Sequence, residues 1–208
     1  MSEMKVLIIE DEPLIAEDIA ACLRRSDYHV SAIVYAAEDA IPELEKNVPD
    51  IVMIDINLNG GQEGIAIAAT INQQYQIPFI YLTSYSDRRT LELAKHTEPS
   101  GYIVKPFTEA GLCATLEIAL HNFARKHQHQ FPDLNLHKIN QHLPSPLSVR
   151  EFEVIQLIYE GCSNHQIAER LYVSNNTVKV HIKNAYLKLD AISRSTVIAR
   201  LRELMMKG

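Results

Sequence analysis

Five short apolar runs punctuate the first 126 residues of the chain. They lie at 5–9, 31–34, 51–58, 79–82 and 101–104. Runs of this length are typical of strands that are buried on both faces of a parallel sheet. The stretches between them carry apolar residues at helical spacing, with Asp87 and Thr108 as predicted N-caps of the last two helices. Strands that alternate with helices predict an α/β fold, a doubly wound five-stranded parallel sheet with helices on both faces.

Polar side chains accompany four of these predicted strands. Glu10 and Asp11 follow the first, Asp55 lies late in the third, Thr83 follows the fourth and Lys105 follows the fifth. The carboxyl ends of parallel strands meet at one edge of a sheet, where ligands bind, so these side chains are expected to converge. Clustered carboxylates either raise their own pKa values or hold a hard divalent cation such as Mg²⁺. With an ammonium and a hydroxyl beside them, they suit a phosphoryl group on a carboxylate.

Residues 4–125 resemble the receiver domain of bacterial two-component response regulators, which has a flavodoxin-like fold. The matching residues, in order, are Glu10-Asp11, Asp55, Thr83-Ser84, Tyr102 and Lys105-Pro106-Phe107. The resemblance implies that Asp55 accepts a phosphoryl group from a sensor histidine kinase or a phosphotransfer protein. It implies that Lys105 forms an ion pair with the phosphoryl oxygens and that Thr83 forms a hydrogen bond with one of them. Tyr102 would then turn inward as a switch. The Lys105–Pro106 peptide bond would be cis. The domain would assist only its own phosphorylation and dephosphorylation, and it would not be an enzyme.

The same resemblance implies an Mg²⁺ cofactor. Asp11, Asp55 and the backbone carbonyl of Asn57 would be its ligands, with Glu10 acting through water. One departure follows the predicted phosphoacceptor. Many receivers have a Pro-Gly turn and a glycine eight residues on, whereas here the glycine, Gly64, lies nine residues on. The loop beside the phosphorylation site is therefore one residue longer, and the resemblance does not predict its shape.

Residues 127–146 form a predicted linker between two domains, 1–126 and 147–208. The segment is polar and rich in histidine, and three prolines interrupt it. Proline and the residue before it resist helix formation. The linker is therefore predicted to be an irregular tether.

A different pattern occupies residues 147–208, where the spacing of capping and apolar residues predicts three helices. Ser148 is expected to cap the first helix, with Glu151 completing a capping box. Ser163 is expected to cap the second helix and Ser174 the third. A short helix, a tight turn and another helix form a helix-turn-helix, so this part is predicted to be a small all-α domain.

The third of these helices has one apolar face and one polar face. Its apolar stripe, predicted to be core, consists of Val178, Ile182, Ala185 and Leu189. The opposite face is basic and polar around Val180, which suits a DNA major groove, because valine contacts thymine methyl groups while lysine and asparagine reach bases or phosphates. The predicted DNA-contacting residues are Asn176, Thr177, Lys179, Val180, Lys183, Asn184 and Lys188, with Arg194 as a further phosphate contact.

Residues 147–205 resemble the LuxR-type DNA-binding domain, and the chain as a whole resembles a response regulator of the LuxR/NarL type. The matching strings lie at 147–154, 161–171 and 173–182. The resemblance implies a four-helix domain whose fourth helix lies at a dimer interface. It also implies a homodimer, formed on activation, that binds inverted half-sites in double-stranded DNA, with Lys179, Val180 and Lys183 as main contacts.

Composition adds a charge asymmetry between the two parts. Residues 1–126 carry 10 Lys and Arg against 19 Asp and Glu, whereas residues 147–208 carry 9 against 6. The basic C-terminal part suits nucleic acid. Three widely separated cysteines suit a reducing compartment and argue against a disulfide framework or a zinc site. The sequence has no signal-peptide pattern and no apolar run that could span a bilayer, so a cytoplasmic protein without a membrane partner is expected.

Two alternatives stay open at this point. A pseudo-receiver transcription factor would act without phosphorylation and would not respond to acetyl phosphate or beryllofluoride with Mg²⁺. A phosphatase with Asp55 as covalent nucleophile would resemble haloacid-dehalogenase-like enzymes, which have a second aspartate where this chain has Asn57. Because the matching residues are present in both parts of the chain, we predict, ahead of these alternatives, a transcriptional regulator that is controlled by phosphorylation of Asp55.

Overall fold

The computed structural model of the protein describes residues 4–84, 88–128 and 133–206. Within them the chain forms two compact units, which divide near Leu120. Asp87, the predicted N-cap of a helix, lies outside the described residues. No helix in the described part of the chain is both long enough and apolar enough to cross a membrane.

The N-terminal unit is built on a parallel sheet of five strands. They are β1 (Met4–Ile9), β2 (Tyr28–Val34), β3 (Ile51–Asp55), β4 (Phe79–Thr83) and β5 (Gly101–Val104). Their order in the sheet is β2-β1-β3-β4-β5. Ile9 pairs with Ile54, and Asp55 pairs with Leu82, so the carboxyl ends of the central strands lie at the same edge.

Helices cover both faces of this sheet. They are α1 (Pro13–Arg25), α2 (Ala37–Lys46), α3 (Glu63–Thr70), α4 (Arg88–Lys95) and α5 (Glu109–Gln128), with a 3₁₀ turn at Leu58–Gly60 and a π-helical turn at Ile71–Tyr75. Helices α2, α3 and α4 share a core with Val52 and Tyr81 of the sheet. Helix α5 packs on the opposite face, where a β-carbon on Gly101 would lie 3.3 Å from the side chains of Ile80 and Thr115. The predicted doubly wound fold is confirmed.

The C-terminal unit is helical, as predicted. Its helices are α6 (Leu136–Asn140), α7 (Val149–Tyr159), α8 (Asn164–Leu171), α9 (Asn175–Leu189) and α10 (Arg194–Met206). Capping boxes at Ser148 and Ser163 begin α7 and α8, and the Ser174 side chain accepts a hydrogen bond from the Thr177 N–H at the start of α9. Helices α8 and α9 form the helix-turn-helix.

The linker differs from the predicted irregular tether. Its residues 136–140 form α6, and Ile139 is fully buried in the C-terminal core. Asn135 caps this helix, because its side chain accepts a hydrogen bond from the Lys138 N–H at 3.0 Å. The sequence contains the signal for this helix in the spacing of Leu134, Leu136, Ile139 and Leu143. The prolines do not prevent α6, because two of them follow the helix and the third precedes its cap.

Candidate functional sites

The carboxyl edge of the sheet brings together the charged residues that were predicted to converge there. Glu10, Asp11 and Asp55 each offer a carboxylate oxygen within 4.8 Å of the other two. Glu10 is fully buried and Asp55 is 6% exposed. Lys105 donates a hydrogen bond to Asp55 Oδ2 at 2.7 Å and forms an ion pair with Glu10 Oε2 at 2.6 Å. One ammonium group therefore pairs with two of the three carboxylates in the cluster.

Backbone N–H groups donate to all three carboxylates, and the bond from the Glu12 N–H to Glu10 Oε1 is the longest at 3.4 Å. The Asn57 N–H donates to Asp55 Oδ1 at 3.0 Å, and the Asn59 N–H donates to Asp11 Oδ2 at 2.9 Å. The last of these bonds comes from the longer loop after β3, where Asn59 has the left-handed φ of 51°. The longer loop therefore closes on the acidic cluster. Side-chain patterns could not predict this contact, because the donor is a main-chain group.

Gly64 lies where α3 comes closest to the phosphoacceptor strand. A β-carbon at this position would overlap the carbonyl oxygen of Asp55 and would lie 3.0 Å from that of Ile56. The displaced glycine is thus required by a close backbone approach, and not by a positive φ. The extra loop residue has not removed this packing constraint from the site.

The acidic cluster has more negative than positive charge. Burial, and to a smaller extent the charge of Asp55, raise the pKa of Glu10 to about 7, although the hydrogen bond and charge of Lys105 oppose this rise. Burial by itself lowers the pKa of Lys105, but its hydrogen bonds to Asp55 and Glu10 outweigh burial and raise it. Two carboxylates within 4.8 Å repel by roughly 3–4 kcal/mol at an effective dielectric constant of about 20. The cluster favours a further cation, and its hard oxygen ligands fit Mg²⁺.

Thr83 and Tyr102 occupy the strands beside the cluster. Thr83 is buried at the end of β4, and its carbonyl accepts a hydrogen bond from the Lys105 N–H at 2.8 Å. The Tyr102 ring packs on Tyr81, with ring centroids 5.7 Å apart. The Tyr102 hydroxyl is buried, and no described residue forms a hydrogen bond with it. Burial raises the pKa of this hydroxyl, as does the nearby Glu92. The Lys105–Pro106 peptide bond is cis, as expected.

The second candidate site is the polar face of α9. Val178, Ile182, Ala185 and Leu189 are buried, as predicted from their spacing. Val180 is 57% exposed. The predicted contacts around it are exposed or half-buried, namely Asn176, Thr177, Lys179, Lys183 and Asn184. Six of the predicted DNA-contacting residues therefore share one accessible side of the helix.

Arg194 does not belong to that face, and its prediction as a phosphate contact is wrong. It is 5% exposed. Its guanidinium donates to the Cys162 carbonyl at 2.6 Å and to Asn164 Oδ1 at 2.7 Å. These bonds fix the start of α10 to the start of α8. The sequence could not show this, because a buried arginine and an exposed one look alike in a basic segment.

Lys188 is also already engaged. Its ammonium forms an ion pair with Glu151 Oε2 at 2.7 Å and donates to the Pro146 carbonyl at 2.9 Å. Burial by itself raises the pKa of Glu151, but hydrogen bonds from Lys188 and from Ser148 outweigh burial and lower it. An ammonium group has three N–H donors, and these partners take two of those of Lys188 and turn it toward α7 and the linker. The structure favours a positioning role for this lysine.

A doubly wound domain with this acidic edge, joined to a helix-turn-helix domain, defines a regulator with a receiver and a DNA-binding output. The family profile of the response regulator receiver domain matches residues 6–117. The profile of the bacterial regulatory proteins of the luxR family matches residues 145–201. The chain belongs to the response regulators that carry a LuxR-type DNA-binding domain, and it is a transcriptional regulator.

Proteins with the same two-part organisation match along most of the chain. The transcriptional regulatory protein DegU of Brevibacillus brevis is 24% identical over 95% of this chain and 92% of its own length. The DNA-binding transcriptional activator EvgA of Escherichia coli is 28% identical over 91% of this chain and 93% of its own length. Among solved structures, the signal receiver domain of a modulated diguanylate cyclase from Desulfovibrio desulfuricans is 31% identical, with a TM-score of 0.56 over 60% of this chain and 98% of that one.

Proposed function

We propose that Asp55 accepts a phosphoryl group from a sensor histidine kinase or a phosphotransfer protein, and that this promotes binding of the protein to DNA as a dimer. The observation that supports this most directly is the arrangement of Lys105 between Asp55 and Glu10, with Asp11 beside them. A pseudo-receiver would have no need for an ammonium group and three carboxylates at one edge of the sheet. The full set therefore favours phosphorylation.

The transfer is a displacement at phosphorus. A carboxylate oxygen of Asp55 attacks the phosphorus atom, the P–N bond of the phosphohistidine breaks, and the imidazole leaves with the bonding electrons. Lys105 then pairs with a phosphoryl oxygen, and the Thr83 hydroxyl bonds to another. The chain acts on its own carboxylate, so it is not proposed to be an enzyme.

Mg²⁺ is the proposed cofactor of this transfer. Asp11, Asp55 and the Asn57 carbonyl would hold the ion, with Glu10 acting through water. That carbonyl already accepts a hydrogen bond from the Gly60 N–H at 3.2 Å, and its second lone pair is left for the ion. When bound, Mg²⁺ neutralises charge on the phosphoryl oxygens.

Tyr102 is proposed to report phosphorylation to the rest of the molecule. Its ring is held by packing on Tyr81, and its buried hydroxyl has no partner among the described residues. A buried hydroxyl without a hydrogen bond costs about 1–3 kcal/mol. A second ring position that satisfies the hydroxyl would recover this cost, which supports Tyr102 as the two-state element of the switch.

The output is proposed to be recognition of inverted half-sites by two copies of α9. Val180 would contact a base edge, and Lys179 and Lys183 would contact bases or phosphates. Two recognition helices bound to one operator require a homodimer, with α10 as the proposed interface.

Phosphorylation can be tested with a small phosphodonor. Acetyl phosphate and Mg²⁺ are expected to add one phosphoryl group to the wild-type protein, detected by intact mass spectrometry. Asp55→Asn should gain none, because its amide is not a nucleophile. Asp39→Asn, which changes an exposed aspartate of α2, is the matched control and should behave as wild type. Phosphorylation of Asp55→Asn at the wild-type level would disprove the assignment.

A further inference from the structure

Lys188 lies where the linker, α7 and α9 meet. Its ammonium donates to the Pro146 carbonyl at 2.9 Å and pairs with Glu151 Oε2 at 2.7 Å. The same carboxylate oxygen accepts a hydrogen bond from the Ser148 N–H at 2.7 Å. One oxygen of Glu151 therefore accepts a hydrogen bond at the start of α7 and another from the last turn of α9. Because Glu151 is 5% exposed, this pair is screened little by solvent.

The end of the linker is fixed from a second side as well. Asn140 Nδ2 donates to the Leu147 carbonyl at 3.0 Å, and the Leu147 N–H donates to Asn140 Oδ1 at 2.8 Å. Upstream of this clamp, α6 packs against α10 and buries Ile139. Residues 135–147, which we term the docked arm, are therefore part of the C-terminal unit. The luxR-family profile begins only at residue 145 and so leaves out most of this arm.

We propose that Lys188 is a positioning residue that locks the docked arm to the recognition helix, α9. It thereby sets the orientation of the DNA-reading face, which is the exposed side of α9 that carries Lys179, Val180 and Lys183. This proposal rests on the proposed DNA contacts of α9. Lys188 and Lys183 lie five residues apart, which separates them by about 140° around the helix. Lys183 is exposed on the polar face, whereas Lys188 is turned toward Glu151 and Pro146. Two lysines of one helix thus have different tasks.

The salt dependence of DNA binding separates a positioning lysine from a phosphate contact. The logarithm of DNA affinity falls linearly with the logarithm of salt concentration, and losing one phosphate contact lowers the slope by about one. We compare Lys188→Met with the matched variant Lys183→Met in the full-length protein. The probe is a duplex that the wild-type protein selects from a random pool, and an unrelated duplex measures non-specific binding.

Lys188→Met is expected to bind the selected duplex several-fold more weakly, with the salt slope of wild type and little change on the unrelated duplex. Its melting temperature should fall by about 4–8 °C, because Glu151 is left buried without its ammonium partner. Lys188→Arg should restore both the affinity and the melting temperature. Lys183→Met should lower the salt slope by about one and leave the melting temperature unchanged. All affinities are measured where circular dichroism shows each variant to be folded.

Three results would overturn the proposal. A salt slope lowered by about one in Lys188→Met, with wild-type melting, would make this lysine a phosphate contact. Wild-type affinity of folded Lys188→Met for the selected duplex would reduce the lysine to a purely structural role. Unchanged binding by Lys183→Met would contradict the DNA-reading face of α9 itself, which is a failure of the proposed function, and the positioning role would fall with it.

Discussion

At the scale of single residues, the acidic edge depends on a balance between burial and charge. Glu10 is fully buried, and burial raises its pKa to about 7 despite the neighbouring ammonium of Lys105. In the unfolded chain, the pKa of this carboxyl is near its ordinary value of 4.5. The folded protein therefore binds an extra proton at Glu10 between these two values. Stability from this group is present below pH 4.5 and is lost as the pH rises through 7.

This linkage predicts how pH and Mg²⁺ act together. Without Mg²⁺, the free energy of unfolding should fall as the pH is raised from about 4.5 to about 7, and Mg²⁺ should reverse most of the loss because it replaces the proton as counter-charge. Urea denaturation at several pH values, with a chelator or with Mg²⁺, measures both effects. Glu10→Gln is the control and should lack this part of the pH dependence. An identical dependence in Glu10→Gln would contradict the assignment.

Gly64 makes a second prediction at this scale. Gly64→Ala should destabilise the N-terminal unit by roughly 1–3 kcal/mol, because its β-carbon overlaps the Asp55 carbonyl and forces backbone shifts. Phosphorylation by acetyl phosphate should slow in parallel.

Gly61→Ala is the matched control within the same loop. Its β-carbon would find nothing closer than 3.5 Å. It should therefore stay within about 0.5 kcal/mol of wild type. Equal effects of the two substitutions would show that the close approach at Gly64 does not govern the site.

At the scale of secondary-structure elements, apolar periodicity predicted the sheet and most helices. The five runs became β1 to β5, because strands covered by helices on both faces carry uninterrupted apolar residues. The acidic edge was predictable too, since parallel strands place Asp11, Asp55 and Lys105 together whatever the details of packing. The stripe of α9 around Val178 followed from helical geometry alone.

What the sequence could not show depends on partners distant along the chain. Burial of Arg194 against Cys162 and Asn164 is a tertiary contact that basic composition conceals. The Asn59 N–H that holds Asp11 is a main-chain donor and leaves no side-chain signal. Helix α6 differs from the expected tether for another reason: its apolar side chains pack in the C-terminal core, and the prolines of the segment lie outside the helix.

Helix α6 allows a direct test at this scale. Ile139→Ala should lower the stability of the C-terminal unit by about 2–4 kcal/mol, because it leaves a cavity where a fully buried side chain packs. Thermal or urea unfolding of the full-length protein measures this. Gln141→Ala, an exposed change beside the same helix, should have almost no effect. If Ile139→Ala is equally neutral, residues 135–147 behave as a free tether.

At the scale of the whole molecule, an acidic unit and a basic unit are joined in one chain. Residues 1–126 have 9 more acidic than basic side chains, and residues 147–208 have 3 more basic than acidic ones. The acidic unit brings Glu10 and Asp11 together with Asp55. The basic unit presents Lys179 and Lys183 beside Val180. Phosphorylation can control DNA binding only if the two states of the receiver differ in their free energy of dimerisation or DNA binding.

The most direct test of this account measures DNA affinity and solution mass together, with and without beryllofluoride and Mg²⁺. Wild-type protein should shift toward a dimer and bind its selected duplex at least about tenfold more tightly, which corresponds to about 1.4 kcal/mol. Asp55→Asn should show neither change, because it cannot form the acyl-phosphate mimic. If wild type and Asp55→Asn respond alike, phosphorylation of Asp55 does not control this regulator.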